Sequence, residues 1–169
     1  MSAPQWLVLI VAALRLAELI YAAHNHQRLL AAGGREVGAG HYPLFVLLHG
    51  SWLVALFFLV PADATIYPAP LAIYGVLLGA RAWVILTLGR YWTTRIITVP
   101  DAPLVRAGPY RLVRHPNYVI VVGEIAILPL VFGAWQIAVV FSLLNAALLW
   151  HRIRVEDAAL APQRRTILS

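Results

Sequence analysis

Apolar runs long enough to cross a bilayer fill most of this chain and leave few architectures open to it. A helix needs about 20 residues to cross about 30 Å of hydrocarbon, and Pro, Gly and Arg divide the sequence into stretches of that kind. The first runs from Pro4 to about Ala23, the second from Tyr42 to Val60 before Pro61, and the third from Ala69 to Leu88 before Gly89. Tyr118 to Trp150 carries one charge, Glu124, and is too long for one span, so Pro129, Gly133 and Trp135 are expected to break it into two short helices forming a hairpin. No basic segment precedes the first stretch, and Arg15 and Glu18 interrupt it, which argues for a retained helix over a secretory signal. With 62% apolar and 12% charged residues, the chain has lipid as its main solvent. The expectation is an all-α integral-membrane bundle of about five transmembrane helices, a single domain over residues 1–169. Three N-terminal spans fall in 1–88; a cytoplasmic loop, the hairpin and a C-terminal helix extension fall in 89–169.

Charge placement orients the spans. The basic residues are all Arg, and the net charge is +6. Short cytoplasmic loops retain Arg while translocated ones do not. Arg28 and Arg35 follow the first span, five Arg lie between Arg90 and Arg114, and Arg152, Arg154, Arg164 and Arg165 follow the last. The loop containing Asp63 and the turn at Gly133 have no basic residue. Five crossings with the N-terminus outside and the C-terminus inside satisfy every loop, as expected in a bacterial inner membrane. The excess Arg is thereby assigned to membrane lipids, with no nucleic acid as partner. The absence of cysteine excludes disulfides and thiolate sites, and with no HExxH and no acidic cage a metal site is not expected.

Chemistry concentrates in two places. Gly108-Pro109-Tyr110-Arg111-Leu112-Val113-Arg114-His115-Pro116-Asn117-Tyr118 runs directly into the fourth span. Pro116 biases His115 towards extended backbone and suits a helix start, so Arg114 and His115 stand beside a helix N-terminus at headgroup depth, a reasonable seat for a carboxylate or phosphate. A topology signal bound to lipid headgroups would have the same composition. Where the last span leaves the membrane, Arg152 and Glu156 stand at i and i+4, followed by Asp157. That pair suits either a cationic ligand or a plain intrahelical salt bridge. Arg15, Glu18, His49, Arg81, Glu124 and Asn145 are polar groups inside the spans. Arg15 and Glu18 can pair on their own helix, His49 reads as an interhelical hydrogen-bonder, and Glu124, about two turns into its span, is expected to face a cavity between helices.

Taken together, the segment from Gly108 to Tyr118 and Arg152-x-x-x-Glu156-Asp157-x-x-Leu160 about 40 residues later resemble the isoprenylcysteine carboxyl methyltransferase family, integral-membrane enzymes that use S-adenosylmethionine. The likeness spans roughly Leu88 to Leu160. The Arg-His-Pro-x-Tyr half also resembles the C-terminal regions of membrane steroid and sterol reductases. The N-terminal pattern of Arg15, Glu18, Asn25, Glu36 and His41-Tyr42-Pro43 resembles a bacterial branch that methylates lipid-like polyketides. The family resemblance implies that Leu104, Val105 and Tyr110 line an adenosyl pocket. It also implies that Arg114, His115, Asn117 and Tyr118 contact the amino-acid part of the cofactor and that Glu156 meets its ammonium or ribose. Arg152 falls where the family meets the acceptor carboxylate. Asp157 replaces the family's second Glu, and Val119-Ile120 replaces a small residue after the motif's Tyr.

The implied activity is S-adenosylmethionine-dependent O-methylation of a carboxylate or acidic hydroxyl on a lipophilic substrate, with Arg152 and Glu156 catalytic and Arg152 and Glu124 on the substrate side. Methyl transfer mainly requires alignment and exclusion of water, which suits a chain without an evident catalytic dyad. Two other readings stay open. An NADPH-dependent lipid reductase would use the basic seat for nucleotide phosphates, and a non-enzymatic lipid-binding or transporter subunit would bind no cofactor.

Overall fold

The computed structural model describes residues 1–100 and 105–166, with side chains through residue 159. Five helices make the bundle: α1 (Ala3–Ala31), α2 (Tyr42–Leu59), α3 (Pro68–Leu88), α4 (Pro116–Val131) and α5 (Trp135–Thr166). Four are long and apolar enough to cross a membrane, and the chain is an integral membrane protein. The remaining helix, α4, has 16 residues, about 24 Å at 1.5 Å per residue. It sits between α3 and α5 and buries Ile120, Val121, Glu124, Ile125 and Leu128, so its short length is offset by protein on both sides.

Each helix boundary has a local cause. Ser2 and Gln5 cap the start of α1 reciprocally, as a capping box. Prolines at the first turn open α2, α3 and α4, where the missing N–H costs nothing. Pro129 lies in the last turn of α4, and Gly133, with φ of 71°, reverses the chain into α5 as the sequence predicts. Polar residues do not end helices by themselves. The first helix continues past Ala23 through His24, Asn25 and Arg28, and α5 continues past Trp150.

The loops sort to two ends. Between α1 and α2, β1 (Arg35–Val37) pairs antiparallel with β2 (Ile96–Thr98) of the α3–α4 connector, Glu36 opposite Ile97. The α1–α2 and α3–α4 loops therefore share one end of the bundle, and α5 joins them there by touching both strands. At the other end the Tyr67 amide donates to the Val131 carbonyl at 2.8 Å, joining the α2–α3 loop to the α4–α5 turn. This alternation is what successive crossings require.

The core holds Val8, Val11, Trp52, Leu56, Tyr74, Ile125 and Leu128 from the first four helices. Gly123 lets α4 approach α3: a Cβ there would come within 3.0 Å of the Leu77 side chain. A smaller cluster under the loop end joins Ala22, Val84, Trp92 and Ile120, with Tyr110 packed against it.

Candidate functional site

The connector from Gly89 to His115 is held against the bundle by specific bonds. Asn25, 1% exposed, donates from Nδ2 to the Gly89 carbonyl (3.1 Å) and the Trp92 carbonyl (2.9 Å), satisfying acceptors left over where α3 ends. Gly108, with φ of 52°, allows the chain to lie against α3: a Cβ there would meet Thr87 Oγ1 at 2.7 Å. Glu36 of β1 holds the Arg95 guanidinium at 2.7 Å, and that guanidinium lies 4.1 Å from the centre of the Tyr42 ring. The two loops thus form a roof.

Beneath the roof lies a cavity of about 910 Å³. Val105, Tyr110, Arg114, His115, Asn117, Tyr118, Arg152 and Glu156 all line it. Leu104 lies outside the described residues. His115 caps the start of α4, with φ and ψ of −129° and 64°, off the helical region as its neighbour Pro116 dictates. Its ring stacks on Tyr118 with centroids 5.4 Å apart. Its Nε2 stands 3.2 Å from Asp157 and its Nδ1 3.7 Å from Glu156. The tail of α5 and the start of α4, 38 residues apart in sequence at Tyr118 and Glu156, therefore meet at one point.

Arg152 and Glu156 do not form the direct pair that their spacing allows. Tyr118 stands between them: its hydroxyl donates to Glu156 and accepts from Arg152 Nε at 2.8 Å. Arg152 also donates from Nη2 to the Thr94 carbonyl at 2.7 Å and lies 5.1 Å from the Phe45 ring centre. Phe45 and Thr94 were not singled out from sequence, since neither type is distinctive and each meets Arg152 only through the fold. Burial, reinforced by the Glu156 carboxylate, pushes the Tyr110 phenol above its usual range, so it remains a donor.

Glu124 is placed differently from the sequence expectation. It is 5% exposed and outside the cavity wall, turned into an ion ring. Arg15 of α1 pairs with Glu18 and Glu124, both at 3.1 Å, and Arg81 of α3 pairs with Glu18 at 2.8 Å and Glu124 at 3.2 Å. The reason is electrostatic: guanidinium groups at membrane depth need carboxylates more than a cavity needs a lone acid. Arg15 and Glu18 pair on their own helix as expected, but they also bridge to α4 and α3. It is Arg15, Glu18 and Arg81 that face the cavity.

The sequence pattern of the "Isoprenylcysteine carboxyl methyltransferase (ICMT) family" matches residues 70–162, which run from the first turn of α3 through the connector and α4 into the tail of α5. A Bacillus subtilis (strain 168) protein described as "Uncharacterized protein YpbQ" is 39% identical over 165 residues, covering 92% of this chain and 95% of its own length. No solved structure matches the chain. The chain belongs to the isoprenylcysteine carboxyl methyltransferase family.

Proposed function

We propose that the protein is an S-adenosylmethionine-dependent methyltransferase acting on a carboxylate or acidic hydroxyl of a lipophilic substrate at the cytoplasmic membrane face. The observation that carries this reading is the meeting of His115, Tyr118, Arg152 and Glu156 on the wall of one cavity that extends from the polar roof to membrane depth.

The residues present fit the cofactor. Asn117 Oδ1 is buried without a hydrogen-bond partner, an acceptor suited to an ammonium N–H. Glu156 adds a carboxylate for the ammonium or ribose, and Val105 and Tyr110 offer an apolar wall and a phenol donor for the adenosyl part. When bound, the cofactor supplies an electrophilic methyl group whose transfer is an in-line displacement. The protein's own part is alignment and electrostatics. Tyr118 fixes Glu156 and Arg152 relative to each other, and Arg152, held by Tyr118 and Thr94, presents a positioned cation to the acceptor oxyanion.

Methyl-tritiated S-adenosylmethionine incubated with purified protein and a lipid extract should label lipid, and excess NADPH should not compete. Arg152→Ala should lower the rate at subsaturating acceptor roughly 100-fold, the loss of a positioned charged contact. It should change S-adenosylhomocysteine affinity less than Glu156→Ala does. Hydride transfer from NADPH without labelling would replace this reading with the reductase.

A further inference from the structure

Two bonds decide how Arg152 points. A guanidinium is planar and carries five N–H donors in a fixed fork, so anchoring two of them sets the direction of the rest. In Arg152 the anchored donors are on Nε, bonded to the Tyr118 hydroxyl, and on Nη2, bonded to the Thr94 carbonyl. Both acceptors are neutral, so this buried cation keeps its charge for a ligand in the cavity it lines.

The two anchors are supported very differently. Tyr118 belongs to the first turn of α4 and stacks on His115, so its place is fixed by the bundle. Thr94 lies in a bend two residues before β2 and belongs to no helix or strand. What steadies it comes from the other loop. The Tyr42 hydroxyl lies 3.2 Å from Thr94 Oγ1. The next residue, Arg95, is bonded to Glu36 of β1 at 2.7 Å and lies over the Tyr42 ring. The second Glu36 oxygen stands 3.4 Å from His26 of α1. The strands themselves pair over three residues each, which is marginal without side-chain support.

A relay therefore runs from Glu36 through Arg95 and the Thr94 carbonyl to Arg152. Glu36 is the one acid of the α1–α2 loop, and it is not among the residues lining the cavity. It reaches the site only through that relay. Glu36 and Tyr42 lie outside the family match at 70–162, whereas Thr94, Arg95 and Arg152 lie within it. Joining the two loops and aiming the arginine are one event.

We infer that Glu36 is a positioning residue. By holding Arg95 it fixes the Thr94 carbonyl, and through that carbonyl the direction in which Arg152 meets the acceptor oxyanion. This rests on the methyl-transfer reading and adds a regulation of the same site: Arg152 is aimed only while the α1–α2 loop is clasped to the connector.

A double-mutant cycle on the purified full-length protein tests this, with methyl-tritiated S-adenosylmethionine as donor and an organic extract of the producing cells' membranes as the source of acceptor. Glu36→Gln should lower the labelling rate at subsaturating extract roughly fivefold, chiefly through a higher half-saturating concentration, with S-adenosylhomocysteine affinity by calorimetry within about twofold of wild type. Tyr42→Phe keeps the ring beside Arg95 and loosens the same bend, so it should act in the same direction and less. In an Arg152→Ala background, Glu36→Gln should change the rate by less than about twofold, because the group it positions is gone. An equal loss in both backgrounds would show that Glu36 merely braces the loops, and overturns the inference. So do an unchanged rate in Glu36→Gln, lost cofactor affinity in that variant, and a wild type that binds S-adenosylhomocysteine but labels no lipid. A wild type that binds no S-adenosylhomocysteine instead removes the methyl-transfer reading, before any acceptor is added.

Discussion

Replacing Glu124 by leucine should destabilise the protein by about 3 kcal/mol, the cost of leaving one uncompensated arginine charge at the centre of a spanning helix. Glu124 meets both Arg15 and Arg81, and without it Glu18 is the single carboxylate left for two guanidinium groups. Thermal unfolding in detergent, followed by circular dichroism, should show a Tm lower by roughly 10 °C. The double variant Arg81→Met with Glu124→Leu removes one charge of each sign and should recover much of that loss, because a balanced buried ion network roughly breaks even against apolar replacements. A double variant less stable than Glu124→Leu would show that the ring is not the reason for the cost.

Glu156→Ala should weaken S-adenosylhomocysteine binding roughly 10- to 100-fold, the range for a charged hydrogen bond lost from a half-buried site. The same substitution frees Tyr118 and removes one of the two acids beside His115, so the effect should exceed that of Tyr118→Phe, which leaves the carboxylate in place. Calorimetry on the three proteins ranks them. Wild-type affinity in Glu156→Ala would take this residue out of the cofactor site.

The helices were legible from sequence because hydropathy reports the solvent directly: the starts of α2 and α3 and the Gly133 reversal fall within about a residue of the expected positions. The far end of α1 was not, because hydropathy marks where lipid stops and not where backbone bonding stops; Asn25 is helical outside the apolar run, whereas the helical extension of α5 through Arg152 was expected. The β1–β2 pair was missed for another reason. Two three-residue strands joined across the whole of α2 and α3 have no local signature beyond the β-branched run from Ile96 to Val99. Residue types identified Arg15, Glu18, Arg81 and Glu124 as costly groups at membrane depth, but pairing across three helices is a tertiary fact, so Glu124 was assigned to the cavity in place of the ring. The role of Tyr118 as the link between Arg152 and Glu156 was hidden similarly, since only the fold brings α4 between them.

The central claim is that the connector, the start of α4 and the tail of α5 enclose one seat for S-adenosylmethionine. Isothermal titration of the wild-type protein with S-adenosylhomocysteine measures this most directly. One saturable site per chain, with an affinity tighter than millimolar and no competition from NADPH, is the predicted result. No heat of binding at millimolar ligand, or binding displaced by NADPH, would contradict it.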